Sequence, residues 1–190
     1  MRSVLLTGFG PFPGVEHNPS GAVAQALHGS AVGGLRVLGT TLDVAWERAP
    51  QQLAAALAAH RPWAVLSLGV APGDELRLEQ VARNADRAGV PDAYGALRPG
   101  GAIRPGAAAL LASRLPLADF AQALGAAGFP ARASDDAGGY LCNHLFYELL
   151  LQHVGGPCGF VHVPTLGAAW DLARLERAVR LLLEVLARQP

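Results

Sequence analysis

Cys142, His162 and Glu79 are the residues whose types and settings could support covalent chemistry in this chain. The run Ser134-Asp135-Asp136-Ala137-Gly138-Gly139-Tyr140-Leu141-Cys142-Asn143-His144 passes from a strand pattern through a glycine turn into a helix pattern, so Cys142 falls in the first helical turn. Free amides at a helix N-terminus favour an anion, which stabilises a thiolate there. The same amides can receive the oxyanion of a tetrahedral intermediate. A buried structural thiol is the competing reading. His162 ends the apolar strand pattern Gly159-Phe160-Val161-His162-Val163-Pro164 and has no local partner. If it meets Cys142 across the sheet edge, it supplies the base that a cysteine nucleophile needs. Glu79 lies between apolar Leu78 and Val81, just after a strand-end loop. On local grounds it reads as a surface glutamate salt-bridged to Arg77 or Arg83.

Three other chemistries are considered from their spacing. Thr7-Gly8-Phe9-Gly10-Pro11-Phe12-Pro13-Gly14 follows a strand, but proline stands where a dinucleotide fingerprint needs its third glycine. The prolines would also remove phosphate-facing amides. The loop reads instead as a turn with both phenylalanines in the core, or as a pocket wall at the carboxyl edge of a sheet. Cys142, His144, His153, Cys158 and His162 match no common zinc spacing. No G-x-S-x-G elbow is present, which disfavours a serine hydrolase of that type.

The positioning elements follow from periodicity. Short apolar runs at 3–7, 35–42, 64–68, 129–134 and 159–163 predict strands. Helical periods occur at 20–27, capped by Asn18 or Ser20, and at 46–60, 120–127, 140–154 and 172–186. In the last, Leu172, Leu175, Val179, Leu182 and Leu186 form one stripe. Strand and helix alternating predict an α/β domain with a largely parallel sheet. Residues 86–106 are rich in Gly, Pro, Asp and Arg, with few large apolar side chains. They read as a long loop or hairpin insertion, and Ala85 to Pro105 as a mobile flap over the site rather than as core. No internal repeat or second domain is evident.

Composition narrows the partners. Lysine plus arginine balances aspartate plus glutamate at 15 each, so no general electrostatic case exists for nucleic acid or an anionic membrane. Two cysteines are too few for a disulfide-built scaffold. The apolar run near the start is too short for a signal-peptide core, and no stretch approaches a membrane span. A cytoplasmic protein with reduced thiols is the expectation.

The motifs then converge on one family. LLTGFGPFPG followed by Asn18-Pro19-Ser20, SLGVAPG at 67–73, Leu78-Glu79 with Ala82 and Asn84, the Ser134 to Asn143 run, and FVHVP at 160–164 resemble the pyroglutamyl-peptidase I family in order and separation. The likeness runs from residue 4 to about 185. It implies a single-domain three-layer α/β/α sandwich with a mostly parallel central sheet, spanning residues 1–190. It implies a cysteine exopeptidase acting on peptides with N-terminal pyroglutamate, without cofactor or metal, and with a homo-oligomer as a possible assembly. The family's nucleophile, histidine and glutamate fall on Cys142, His162 and Glu79. Its ring-binding residues fall on Phe9 and Phe12, with Asn18, Val70, Tyr140 and Leu141 lining the same pocket. Many bacterial members carry glutamine where this chain has Val70, and arginine where it has Gly89. Arg87 is the available substitute for the latter. A non-catalytic binding domain of the same fold, and a phosphorolytic transferase, are the rival readings.

Overall fold

The computed structural model describes residues 1–153 and 155–190. Its elements are β1 (Ser3–Phe9), α1 (Pro19–Ala26), β2 (Ala31–Val32), β3 (Leu35–Leu42), α2 (Arg48–His60), β4 (Ala64–Ala71), β5 (Leu76–Glu79), β6 (Val81–Arg83), β7 (Leu110–Ala112), α3 (Leu117–Ala126), β8 (Ala131–Ser134), α4 (Leu141–Gln152), β9 (Cys158–Pro164) and α5 (Leu172–Ala187). The end of the helix expected at 140–154 falls on residue 154, outside the described residues.

Seven strands form one sheet in the order β2-β3-β1-β4-β9-β5-β8. β1 is parallel to β3 and β4, β4 to β9, and β5 to β8. β5 runs antiparallel to β9, and β2 to β3, so the sheet is mixed at both sides of a parallel centre. β6 and β7 form a separate antiparallel pair. Side chains alternate across the sheet as the strand period requires. Val4, Leu6, Leu66 and Leu68 join α1, α3 and α5 in one core. Leu5, Phe9, Val65 and Phe160 join α2 and α4 in the other. That is the three-layer sandwich.

Local chemistry fixes the helix ends. Asn18 caps α1 by accepting the Ser20 N–H, with Pro19 in the first turn. Asp171 caps α5 through the Arg174 N–H at 2.6 Å. On α5, Leu175, Val179, Leu182 and Leu186 are fully buried, each contributing about 1.5–3 kcal/mol relative to exposure. Leu172, placed on that stripe by spacing, opens the helix and stays exposed. A side chain at Gly8 would collide with the Ser20 carbonyl, so glycine lets α1 press its capping residues against the end of β1.

The segment 86–106 departs from its expected character. It has little regular structure, yet Asp86, Asp92 and Ile103 are buried, and Ile103 belongs to the α2–α4 core. Asp92 accepts the N–H groups of Trp46, Tyr94 and Ala96 at 3.0, 2.9 and 2.9 Å. Burial opposes charge on Asp92, but those three donors and Arg48 outweigh it and hold the carboxyl below its ordinary pKa. Arg104 forks onto the Glu148 carboxylate of α4 at 2.7 and 3.0 Å. The segment is a strap pinned by buried carboxylates, a role its polar composition disguises.

Candidate active site

Cys142 is the second residue of α4. The turn before it depends on Gly138, whose φ of 83° is a conformation that side chains disfavour. Tyr140 occupies the cap position in extended backbone and makes no side-chain cap bond. The first-turn amides around Cys142 therefore lack that partner and can face an anion.

His162 lies on β9 in register with Gly69 of β4. A Cβ at Gly69 would stand 2.8 Å from the Cys142 sulfur and 2.8 Å from Phe160 Cζ. Glycine there makes room for the thiol over the sheet. Glu79 ends β5, and its Oε1 is 2.7 Å from His162 Nδ1. Both groups are buried. The surface reading of Glu79 is thus overturned: β5 is a sheet strand, and its short alternating sequence points Leu76 and Leu78 to one core and Glu79 to the other face.

Burial works against a charged His162. The Cys142 thiolate, a hydrogen bond to it, and the bond and charge of Glu79 outweigh that penalty and raise the imidazole pKa to about 9. The arrangement keeps the imidazole charged at neutral pH beside the Cys142 sulfur. Cys158 differs. It is buried at the start of β9, its sulfur lies 2.9 Å from Arg114 Nη2, and burial pushes its thiol pKa up. The five metal candidates do not assemble: His162 pairs with Glu79, His144 with Asp86, and Cys158 with Arg114. Among the described residues no group of three or more His, Cys, Asp and Glu side chains is placed to hold a metal ion.

Beside the thiol is a cavity of about 90 Å³ lined by Phe9, Phe12, Asn18, Val44, Val70, Tyr140, Leu141 and Cys142. All six residues expected to bind substrate are in that lining. The volume is well below the roughly 300–1,000 Å³ of sites that take drug-sized ligands, so one small ring or side chain fills it. Asn18 also builds the wall: its Nδ2 donates to the Gly10 carbonyl at 2.9 Å, and its Oδ1 accepts from the Ser20 hydroxyl at 2.7 Å. That hydroxyl in turn accepts the Phe9 N–H at 3.0 Å. Tyr140 sits edge-on to Trp46, and its hydroxyl donates to the Pro91 carbonyl at 3.1 Å, which joins the cavity to the strap.

Val44 and Gly69 are site residues that sequence reasoning missed. Val44 opens the short apolar run Val44-Ala45-Trp46 after β3, which has no periodic signal. Gly69 lay within the SLGVAPG run but read only as a strand end. Arg87, the proposed substitute at the Gly89 departure, packs along Gly139, and its N–H donates to the Gly139 carbonyl at 2.8 Å.

Comparison with known proteins agrees with this geometry. The family model described as pyroglutamyl peptidase matches residues 2–172. The pyrrolidone-carboxylate peptidase of Gloeobacter violaceus is 39% identical over 197 residues, covering 96% of each chain. That of Yersinia pestis is 37% identical, covering 87% of this chain and 80% of the relative. The crystal structure of Bacillus amyloliquefaciens pyroglutamyl peptidase I superposes with a TM-score of 0.94 at 29% identity, covering 100% and 98% of the two chains. The pyrrolidone carboxyl peptidase from Thermococcus litoralis gives 0.93 at 29% identity, covering 98% and 93%. With its thiol, imidazole and carboxylate gathered beside a small apolar cavity on this sheet, the chain belongs to the pyroglutamyl peptidase family.

Proposed function

We propose that this protein hydrolyses the bond that follows an N-terminal pyroglutamyl residue in peptides, with residues 1–190 acting as one catalytic domain and Cys142 as nucleophile. The observation that carries the reading is the Glu79–His162 pair, buried behind a thiol at the edge of a cavity sized for one small ring.

The thiolate of Cys142 attacks the pyroglutamyl carbonyl, and amides in the first turn of α4 stabilise the oxyanion. The His162 imidazolium gives its proton to the leaving amine, which departs with the rest of the peptide. Neutral His162 then takes a proton from water as that water attacks the thioester, releasing pyroglutamate and restoring the thiol. Glu79 holds the Nδ1 edge of the ring, leaving Nε2 for the sulfur, and stabilises the charged form.

The neutral lactam suits the cavity. Its walls are mostly aromatic and aliphatic, and Val70 offers no polar side chain. The lactam N–H and C=O are therefore read chiefly by backbone groups. A non-catalytic binder would have no use for a buried imidazole–carboxylate pair facing a thiol beside the cavity. Two free cysteines and a chain in which no described helix is long and apolar enough to cross a membrane accord with a cytoplasmic setting.

Release of a fluorogenic amine from a pyroglutamyl amide, with and without iodoacetamide, tests the reading. The expected result is turnover that stops as Cys142 is alkylated, with Cys158 modified later or not at all. Turnover that survives full Cys142 alkylation, or binding of the amide without cleavage, would overturn it.

A further inference from the structure

One short stretch of chain grips the nucleophile's helix on both sides of Cys142. The Arg83 N–H donates to Asn143 Oδ1 at 2.8 Å, and Asn143 Nδ2 donates to the carbonyls of Arg83 and Ala85 at 2.8 and 3.0 Å. His144 Nδ1 meets the two oxygens of Asp86 at 3.0 and 2.9 Å. The Arg87 N–H donates to the Gly139 carbonyl at 2.8 Å. Gly139, Asn143 and His144 bracket Cys142. Asn143, His144 and Asp86 are all buried, and Arg98 closes the outer side of the Asp86 carboxylate at 3.0 Å.

Two buried histidine–carboxylate pairs therefore flank the thiol, and they differ in what they face. Glu79–His162 faces the sulfur. Asp86–His144 joins α4 to the strap, and neither its residues nor Asn143 line the cavity. The two pairs are linked in sequence, because the gripping stretch begins just after Glu79. A single run from Glu79 to Arg87 thus touches the imidazole at one end and the start of α4 at the other.

We propose that Asn143 and Asp86 are positioning residues that fix the first turn of α4 so that the Cys142 thiol meets His162. The inference rests on the peptidase reading of the site. Its physical basis is that a nucleophile misplaced by about 1 Å can lose on the order of 10²-fold in rate. A buried amide with three bonds to backbone, and a buried carboxylate between two cations or donors, hold a helix start more tightly than side-chain packing alone.

The test reads the site with and without substrate. Asn143→Ala and Asp86→Ala are expected to lower kcat by about 10²-fold with KM changed little. Alkylation of Cys142 by iodoacetamide, followed by mass spectrometry, should be about tenfold slower in these variants than in the wild type at pH 6, where His162 is charged, and less so at pH 9.5, because the sulfur no longer meets the imidazolium. Asp86→Asn keeps an acceptor for His144 and should recover most of both. Arg104→Ala breaks the other clamp, one turn further along α4 at Glu148, and should lower Tm while leaving both readouts near wild type. If Asp86→Ala does not fold, Arg98→Ala should shift both readouts in the same direction by less. Folded Asn143→Ala and Asp86→Ala with wild-type kcat and alkylation ratio would overturn the proposal, as would equal losses in Arg104→Ala. A wild type that cleaves no pyroglutamyl amide, yet shows the alkylation contrast, would sink the peptidase reading and leave the positioning role standing.

Discussion

Glu79 and His162 meet diagonally across an antiparallel strand pair. The direct partners of that pair are Arg77 with His162 and Leu78 with Val161, so Glu79 stands two residues along from the histidine on the same face. Diagonal neighbours are within reach of long side chains, and here the carboxylate closes to 2.7 Å. Its other oxygen is buried with no hydrogen-bond partner among the described residues. The carboxylate's interaction with protein is thus concentrated on the imidazole.

The first prediction follows from that geometry. His162→Ala should lower kcat by about 10²–10⁴-fold, the usual loss when a general acid–base is removed. Glu79→Gln should cost less, since it leaves the imidazole in place with an oxygen near Nδ1. Steady-state kinetics on a pyroglutamyl amide decides the order. A larger loss in Glu79→Gln would mean the roles are reversed.

A second prediction concerns the charge of His162. Its folded pKa of about 9 lies above the ordinary imidazole value of 6.5. The folded state therefore binds more protons than the unfolded state between those values. The stability from this group is complete below about pH 6.5 and is lost as pH rises through about 9. Cys142→Ala removes the thiolate and its hydrogen bond while burial and Glu79 remain, so the imidazole should titrate lower. NMR titration of the His162 ring and urea unfolding across this pH range measure both effects. An unchanged titration in Cys142→Ala would show that thiol and imidazole do not interact.

Gly69→Ala should damage catalysis more than stability. The added Cβ would meet both the Cys142 sulfur and the Phe160 ring at 2.8 Å, so both must give way. Overpacking of this kind costs roughly 1–3 kcal/mol. A shifted thiol should cost on the order of 10²-fold in kcat. Thermal melts and kinetics on the same preparation separate the two. A Gly69→Ala protein with normal kcat would show that the sulfur does not rest over β4.

Substrate choice should fail separately from chemistry. Phe12→Ala removes one aromatic wall of the cavity and should raise KM, by a loss of at most about 3 kcal/mol, while Cys142 is alkylated at nearly its normal rate. Prolyl amides should be poor substrates of the wild type, because a charged secondary amine would be buried among apolar side chains. The ratio of kcat/KM for the two amides is the measurement. Equal cleavage of both by the wild type would remove the cavity from its role as the lactam pocket.

The sequence by itself determined what repeats locally. The apolar run from Leu35 to Leu42 is a strand with those bounds, and the heptad-like stripe of α5 is buried as its spacing demands, save Leu172 at the helix start. The glycine turn placed Cys142 at a helix start, because only a few backbone conformations join such a turn to a helix. The tertiary structure decided what depends on partners distant in the chain. β5 is only four residues long, too short to show a period, and its charged residues hid it. Glu79 consequently looked like a surface residue until β9 came to lie beside β5. The strap looked unlike core because its burial is carried largely by Asp86 and Asp92, and a buried carboxylate is legible only once its donors on other elements are in place. Gly69 shows the same limit: a missing side chain has meaning only when a sulfur from a helix more than seventy residues later arrives in the space it leaves.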